Sequence, residues 1–168
     1  MNYLALNCSV ASGFGRVVVV IINSNNEIFR YVFKSPSVFS FNENSAEILN
    51  WHRDNIISLI TLFNVDGLVI KKTEQSQHAR LRKSDIFKLY LEGVMLSLAG
   101  SIGRVNKHYY KTNIQRILST PNIFTLTIDD ICKKYELKNN FSTIPVGEID
   151  VTKDALLAAI SLKTTISV

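Results

Sequence analysis

The sequence predicts an α/β fold: a mixed five-stranded sheet, three antiparallel strands and then parallel ones, with helices on both faces. Three observations predict it. Strand-like runs separated by short turn signals fill residues 3–34. Helical and short apolar segments then alternate, the order that builds parallel crossovers. The last third is helical, which supplies cover for the sheet.

The elements follow in order. Residues 3–10 form a strand-like run, Gly13-Phe14-Gly15 is a turn, and residues 16–23 are rich in β-branched side chains. Asn23-Ser24-Asn25-Asn26 is a second turn, and in residues 27–34 Ile28, Arg30 and Val32 alternate with Phe29, Tyr31 and Phe33. Three strands so joined make an antiparallel meander, which Ser35-Pro36-Ser37 ends. Asn44 or Ser45 is placed to cap a helix with apolar positions Ile48, Leu49, Ile56, Leu59, Ile60 and Phe63. Asp66-Gly67 turns into Leu68-Val69-Ile70, a run suited to a buried parallel strand. A polar, basic stretch, KKTEQSQHARLRK, follows from residue 71. Ser84 is placed to cap the next helix, whose apolar set Ile86, Phe87, Leu89, Tyr90, Val94 and Leu98 recurs at helical spacing before Gly100 and Gly103 close it. Residues 104–110 read as a strand, 111–119 as a short helix ended by Pro121, 129–137 as a helix and 138–149 as a loop. The final helix spans 152–162, with Thr152 or Asp150 as its cap.

Composition narrows the function classes. With 46% hydrophobic and 20% charged residues the chain builds a core, and its length suits one domain over residues 1–168. The start of the chain has neither a basic segment nor a long apolar region, and the longest apolar run, 17–22, is far short of a membrane span, so no membrane role is expected. Cys8 and Cys132 lie far apart without metal-ligand spacing and read as small buried hydrophobes, which points to a reducing, cytoplasmic compartment. A net charge of +5 and a pI near 9.2 suit a nucleic-acid partner without requiring one. Ser12-Gly13-Phe14-Gly15 lacks the lysine and the helix of a phosphate loop, and His52, His78 and His108 share no metal-ligand spacing.

Several segments carry a resemblance. Leu4-Ala5-Leu6-Asn7 resembles the first strand of the RuvC branch of the RNase H-like superfamily, which presents a leading aspartate. Asp66 to Lys71 resembles the fourth strand, which in RuvC ends in a glutamate. Tyr109 to Ile114 is similar to the passage from fifth strand to helix that a lysine opens, and Lys153 to Ile160 resembles the closing helix with its aspartate. A small, functionally uncharacterised bacterial family of short RNase H-like proteins is similar in a further respect. Its fourth strand ends in Ile-Lys-Lys, followed by a basic loop and a helix with Glu-Gly; here these are Ile70-Lys71-Lys72 and Glu92-Gly93.

The resemblance implies a single RNase H-like domain and assigns Asn7, Lys71, Glu92 and Asp154 to the positions of a degenerate catalytic site. Nucleases on this scaffold use two divalent ions, and Mg²⁺ or Mn²⁺ needs converging carboxylates. Asn7 is a weak ligand, and Lys71 brings a positive charge. A unit charge about 4 Å from a divalent ion costs on the order of 8 kcal/mol at an effective dielectric of about 20. No cofactor is therefore expected, with Mg²⁺ or Mn²⁺ entering only if the chain is an active nuclease.

Each position carries more than one reading. Lys71 pairs with Asp154 or Glu92, or joins Lys72 as a phosphate contact, or is merely solvated. Glu92, four residues after Lys88, reads as surface decoration or as a site residue, and Glu47 as a dipole-favouring side chain or a carboxylate that joins Glu92 and Asp154 around one metal. Two basic groups, one with Lys72, His78, Arg80, Arg82 and Lys83 and the other with Arg104, Lys107, His108 and Lys111, are expected to bracket the cleft or else to be solvated loops. Trp51, Tyr109 and Tyr110 are aromatic candidates for base stacking or for core. The leading expectation is a nucleic-acid-binding protein, DNA or RNA, that is not an efficient nuclease. Its rivals are a structure-specific nuclease with a rearranged carboxylate set and a protein-interaction module. Pairing among RuvC-like relatives leaves a homodimer open.

Overall fold

The structure, a computed structural model, describes residues 1–72, 81–101, 105–141 and 143–166, with residues 99–101, 105 and 106 as backbone alone. The chain opens with β1 (Tyr3–Ala11), β2 (Phe14–Ile22) and β3 (Glu27–Lys34), paired antiparallel in sequence. Ser12 and Gly13, both at positive φ, make the two-residue turn that sets Ala11 opposite Phe14. Helix α1 (Ser45–Leu62) leads to β4 (Gly67–Lys71), and α2 (Lys83–Ser101) to β5 (Val105–Tyr109); both strands run parallel to β1. Helices α3 (Lys111–Ile117) and α4 (Ile128–Lys134), a two-residue β6 (Lys138–Asn139) and α5 (Ile149–Ile166) complete the chain.

The order β5-β4-β1-β2-β3-β6 gives six strands where the sequence predicts five. The sixth falls in a stretch that reads as loop, because two residues carry no periodicity. Leu137, buried in the core, and the Lys138 amide bonded to the Asn26 carbonyl at 2.8 Å draw it alongside β3.

Alternation along the strands divides the core in two. Leu4, Leu6, Val17, Val19, Ile21, Leu68 and Ile70 pack under α1 and α2, while Tyr3, Ala5, Val20, Ile22 and Val69 pack under α5 with α3 and α4. Both faces are covered, so β1, β2 and β4 read as continuous apolar runs. Gly15 allows the α2 face to close: a Cβ there would lie 2.6 Å from the Phe87 ring and 2.9 Å from the Ser35 hydroxyl.

Helix boundaries depart from the sequence reading at three caps. Asn44 occupies the N-cap position of α1 but turns its side chain outward, accepting from the Ser40 amide at 2.8 Å and donating to the Val38 carbonyl at 2.9 Å. Helix α2 begins one residue before Ser84, with the Asp85 carboxylate accepting from the Arg82 amide at 2.9 Å, half of a capping box. Helix α5 begins at Ile149 behind a 3-10 turn, Val146–Glu148, so Asp150 and Thr152 lie inside its first turns. Among the described residues, no helix is long and apolar enough to cross a membrane.

Candidate functional site at the carboxyl end of the sheet

The parallel register fixes which side chains meet. Asn7 pairs with Lys71 across β1 and β4, and Lys71 with Tyr109 across β4 and β5. These are the carboxyl ends of the parallel strands, where open α/β sheets bind ligands. Asn7 and Lys71 continue the stripe that α5 covers, and the Asn7 amide donates to the Val151 carbonyl at 3.2 Å, tying β1 to the first turn of α5. The next turn of α5 presents Asp154.

Lys71 is 5% exposed. Its ammonium donates to the Lys72 carbonyl at 2.8 Å and stands 3.8 Å from Asp154 Oδ2. Burial pushes the Asp154 carboxyl above the usual carboxylate range; Lys71, Lys111 and Lys153 pull it down and Asp150 pushes it further up. A cavity of about 310 Å³ opens beside the pair, lined by Lys71, Lys88 and Lys111 with Asp150 and Asp154. Three lysines and two aspartates thus line one cavity, and Lys153 pairs with Asp150 at 3.3 Å.

Lys88 and Asp150 are residues that sequence reasoning passes over. Lys88 reads there only as a helix neighbour of Glu92, and Asp150 as a cap. Glu92 is 2% exposed, which excludes its reading as surface decoration. It lies on the α2 side of the sheet, where burial of the Cys8 thiol and, after it, the Glu92 charge raise that thiol beyond any physiological titration while Lys88 opposes. Glu47 is exposed in the first turn of α1. Among the described residues no three His, Cys, Asp or Glu side chains gather as a metal-ligating group, so Glu47, Glu92 and Asp154 do not converge.

The residues at the strand ends do not fit a two-metal centre. Where two hard ions need shared carboxylates, the sheet offers an amide, an ammonium and one carboxyl whose proton burial favours.

The basic candidates separate in space. Lys111 lines the cavity and also lies over the Phe124 ring at 5.0 Å. Lys72 is half-buried, with its amide bonded to the Tyr109 carbonyl at 2.9 Å and its ammonium 5.7 Å from the Tyr110 ring. Arg82 and Lys83 are exposed at the start of α2, and Lys107 is exposed on the edge strand β5. Arg80, Arg104 and His78 lie outside the described residues. Of the aromatic candidates, Tyr109 is buried, Trp51 packs edge-on to Phe33, and Tyr110 is exposed.

Comparison with solved structures agrees with this topology. RuvC of Thermus thermophilus in complex with a Holliday junction substrate superposes with a TM-score of 0.65 at 12% identity, covering 99% of this chain and 95% of that chain. A second Thermus thermophilus RuvC structure gives 0.62 at 12% identity over 99% and 96%. The yeast mitochondrial Holliday junction resolvase Ydc2 gives 0.54 at 10% identity over 95% and 77%. No protein-family model and no curated protein sequence matches the chain. The fold is therefore RNase H-like. Within that class it takes the RuvC-type arrangement, and at these identities the likeness concerns the fold.

Proposed function

We propose that this chain, as a single domain over residues 1–168, is a cytoplasmic nucleic-acid-binding protein that does not cleave its ligand efficiently. The observation that carries the reading is Lys71: a buried ammonium beside Asp154, in a cavity where lysines outnumber carboxylates. Such a cavity favours an anion. A phosphate oxygen bridging Lys71, Lys88 and Lys111 gains charge-assisted hydrogen bonds that a divalent cation there would forfeit to repulsion. Lys72, Arg82 and Lys83 extend the positive surface on either side, with Arg80, Arg104 and Lys107 as further candidate contacts. Because the Thermus protein is seen on a Holliday junction, branched DNA is the first ligand to try, followed by duplex and single-stranded DNA and RNA.

Fluorescence anisotropy against salt tests the proposal. Binding is expected, and replacing Lys88 and Lys111 by alanine should lower the slope of log K against log salt by about 0.7–0.9 per lost phosphate contact. Incubation with Mn²⁺ should leave the same substrates intact. Strand cleavage that Asp154→Asn abolishes would overturn the reading in favour of a nuclease, and loss of all nucleic-acid binding would favour a protein partner.

A further inference from the structure

A second cavity, of about 450 Å³, lies beyond the end of β1, between the loop that follows β3 and the first turns of α2. That volume is in the range of small-ligand pockets. Its wall is aromatic. Phe39 stacks on the buried Phe87 ring with centroids 3.6 Å apart and planes 14° apart, and Phe41 meets Phe39 edge-on at 4.7 Å. Phe41 keeps 38% of its surface exposed, and Tyr90, 5.8 Å from it, keeps 47%. The loop is held by its own hydrogen bonds: the Phe39 amide donates to the Gly13 carbonyl at 3.0 Å, and the Asn44 side chain spans Val38 and Ser40. Val10 and Gly13 also line it, and Ser40, Asn42, Ser84 and Lys83 supply its polar and cationic groups.

We propose that this cavity takes one unstacked nucleobase of a strand whose phosphates lie at the lysine cavity. The inference rests on the nucleic-acid reading above and names what that site recognises. Continuity supports it. Along α2, Lys88 lines the first cavity, and Phe87 and Ser84, closer to the start of the same helix, line the second. A strand that passes Lys88 toward the start of α2 reaches the aromatic lining. Chemistry supports it as well. Every base has a π-face that stacks on an aromatic ring, and the Asn42 amide and Ser84 hydroxyl are placed for a base edge. Lys83, with no carboxylate among the described lining residues, suits the adjoining phosphate and disfavours a cationic peptide.

Nuclear magnetic resonance on the full chain tests the pocket with adenosine monophosphate as probe and inorganic phosphate as control. The nucleotide should shift amides at Phe39, Phe41, Asn42, Ser84 and Phe87, and Phe41→Ala should remove those shifts. Phosphate should move only residues around Lys71, Lys88 and Lys111. In parallel, Phe41→Ala should weaken binding of a single-stranded oligonucleotide on the order of tenfold while leaving its salt slope unchanged. Phe41 is a surface side chain, and Tyr90→Ala gives a second variant should the first perturb the loop.

Absence of nucleotide shifts at the aromatic cavity, or shifts that persist in both variants, overturns the inference even where oligonucleotides bind through the lysines. Nucleotide shifts lost in Phe41→Ala, in a protein that binds no oligonucleotide, support the pocket and overturn the phosphate reading instead.

Discussion

Charged and polar side chains are buried in both halves of this sheet, but those of one half are set away from the lysine cavity and those of the other line it. On the antiparallel side, Arg16 of β2 and Arg30 of β3 both pair with Glu148, the former at 3.3 Å, and Arg30 Nε also donates to Thr152 Oγ1 at 3.0 Å. Nearby, the fully buried His52 meets the Ser35 hydroxyl at 3.0 Å, and that hydroxyl donates to the Gly15 carbonyl at 3.1 Å. On the parallel side, Lys71 and Asp154 stand 3.8 Å apart at the mouth of a cavity with two more lysines. In the first set both arginines meet Glu148 within the protein, and His52 bonds through Nε2 alone, its buried Nδ1 having no hydrogen-bond partner among the described residues. The second keeps positive charge facing a space that a ligand can enter, and that difference separates a structural polar group from a candidate binding one.

The largest expected effect lies on the antiparallel side and depends on pH. Burial lowers the His52 pKa from 6.5 to about 4, so the imidazole is neutral in the folded protein. The unfolded chain takes up a proton near pH 6.5 while the folded one does so only near pH 4, so between these values the unfolded state binds more protons and stability falls with pH. At about 1.4 kcal/mol per pKa unit, the loss approaches about 3 kcal/mol and is complete below pH 4. Urea unfolding at pH 7 and pH 4.5 should show it, and His52→Gln should remove most of that difference. A variant with the parent's pH dependence would show that the imidazole is not held neutral.

Next comes Glu148→Gln. It leaves two arginines facing a neutral amide at side-chain exposures of 13–19%, so solvent softens the cost of a buried pair to about 2 kcal/mol. Urea denaturation reads this loss. Nucleic-acid affinity should stay within about twofold, because neither arginine lines the lysine cavity. A large loss of affinity would instead join the two halves into one site.

Much of this contrast is invisible in the sequence for a definable reason. The strands are legible because β-branched runs and turn residues act locally; Lys71 is legible as a strand end, and Asn7 through the resemblance of the first strand. Their facing each other follows only from the β1–β4 register, which the chain sets across an entire crossover. Glu148 lies over a hundred residues from both Arg16 and Arg30, so no spacing announces their pairing. Lys88 and Glu92 share a helix, yet which of them looks into the cavity depends on how α2 crosses the sheet. Phe39 and Phe41 fall after the end of the meander, where the sequence carries no signal for them, since a loop aromatic declares its partner only once α2 is in place.

The smallest expected effect is also the sharpest test of the parallel side. In the double variant Lys71→Met/Asp154→Asn the ion pair is replaced by groups of similar size without charge. Removing both partners of a buried pair is often neutral, because the desolvation cost disappears with the attraction. Here burial already disfavours the Asp154 carboxylate despite three neighbouring lysines, so the pair contributes little net stability. Stability by urea denaturation should stay within about 1 kcal/mol of the parent, while affinity for oligonucleotides falls as one phosphate contact is lost. A loss of several kcal/mol with affinity intact would reverse the assignment: Lys71 would then hold the sheet end together as Glu148 does, and the anion would have to be sought elsewhere along α2.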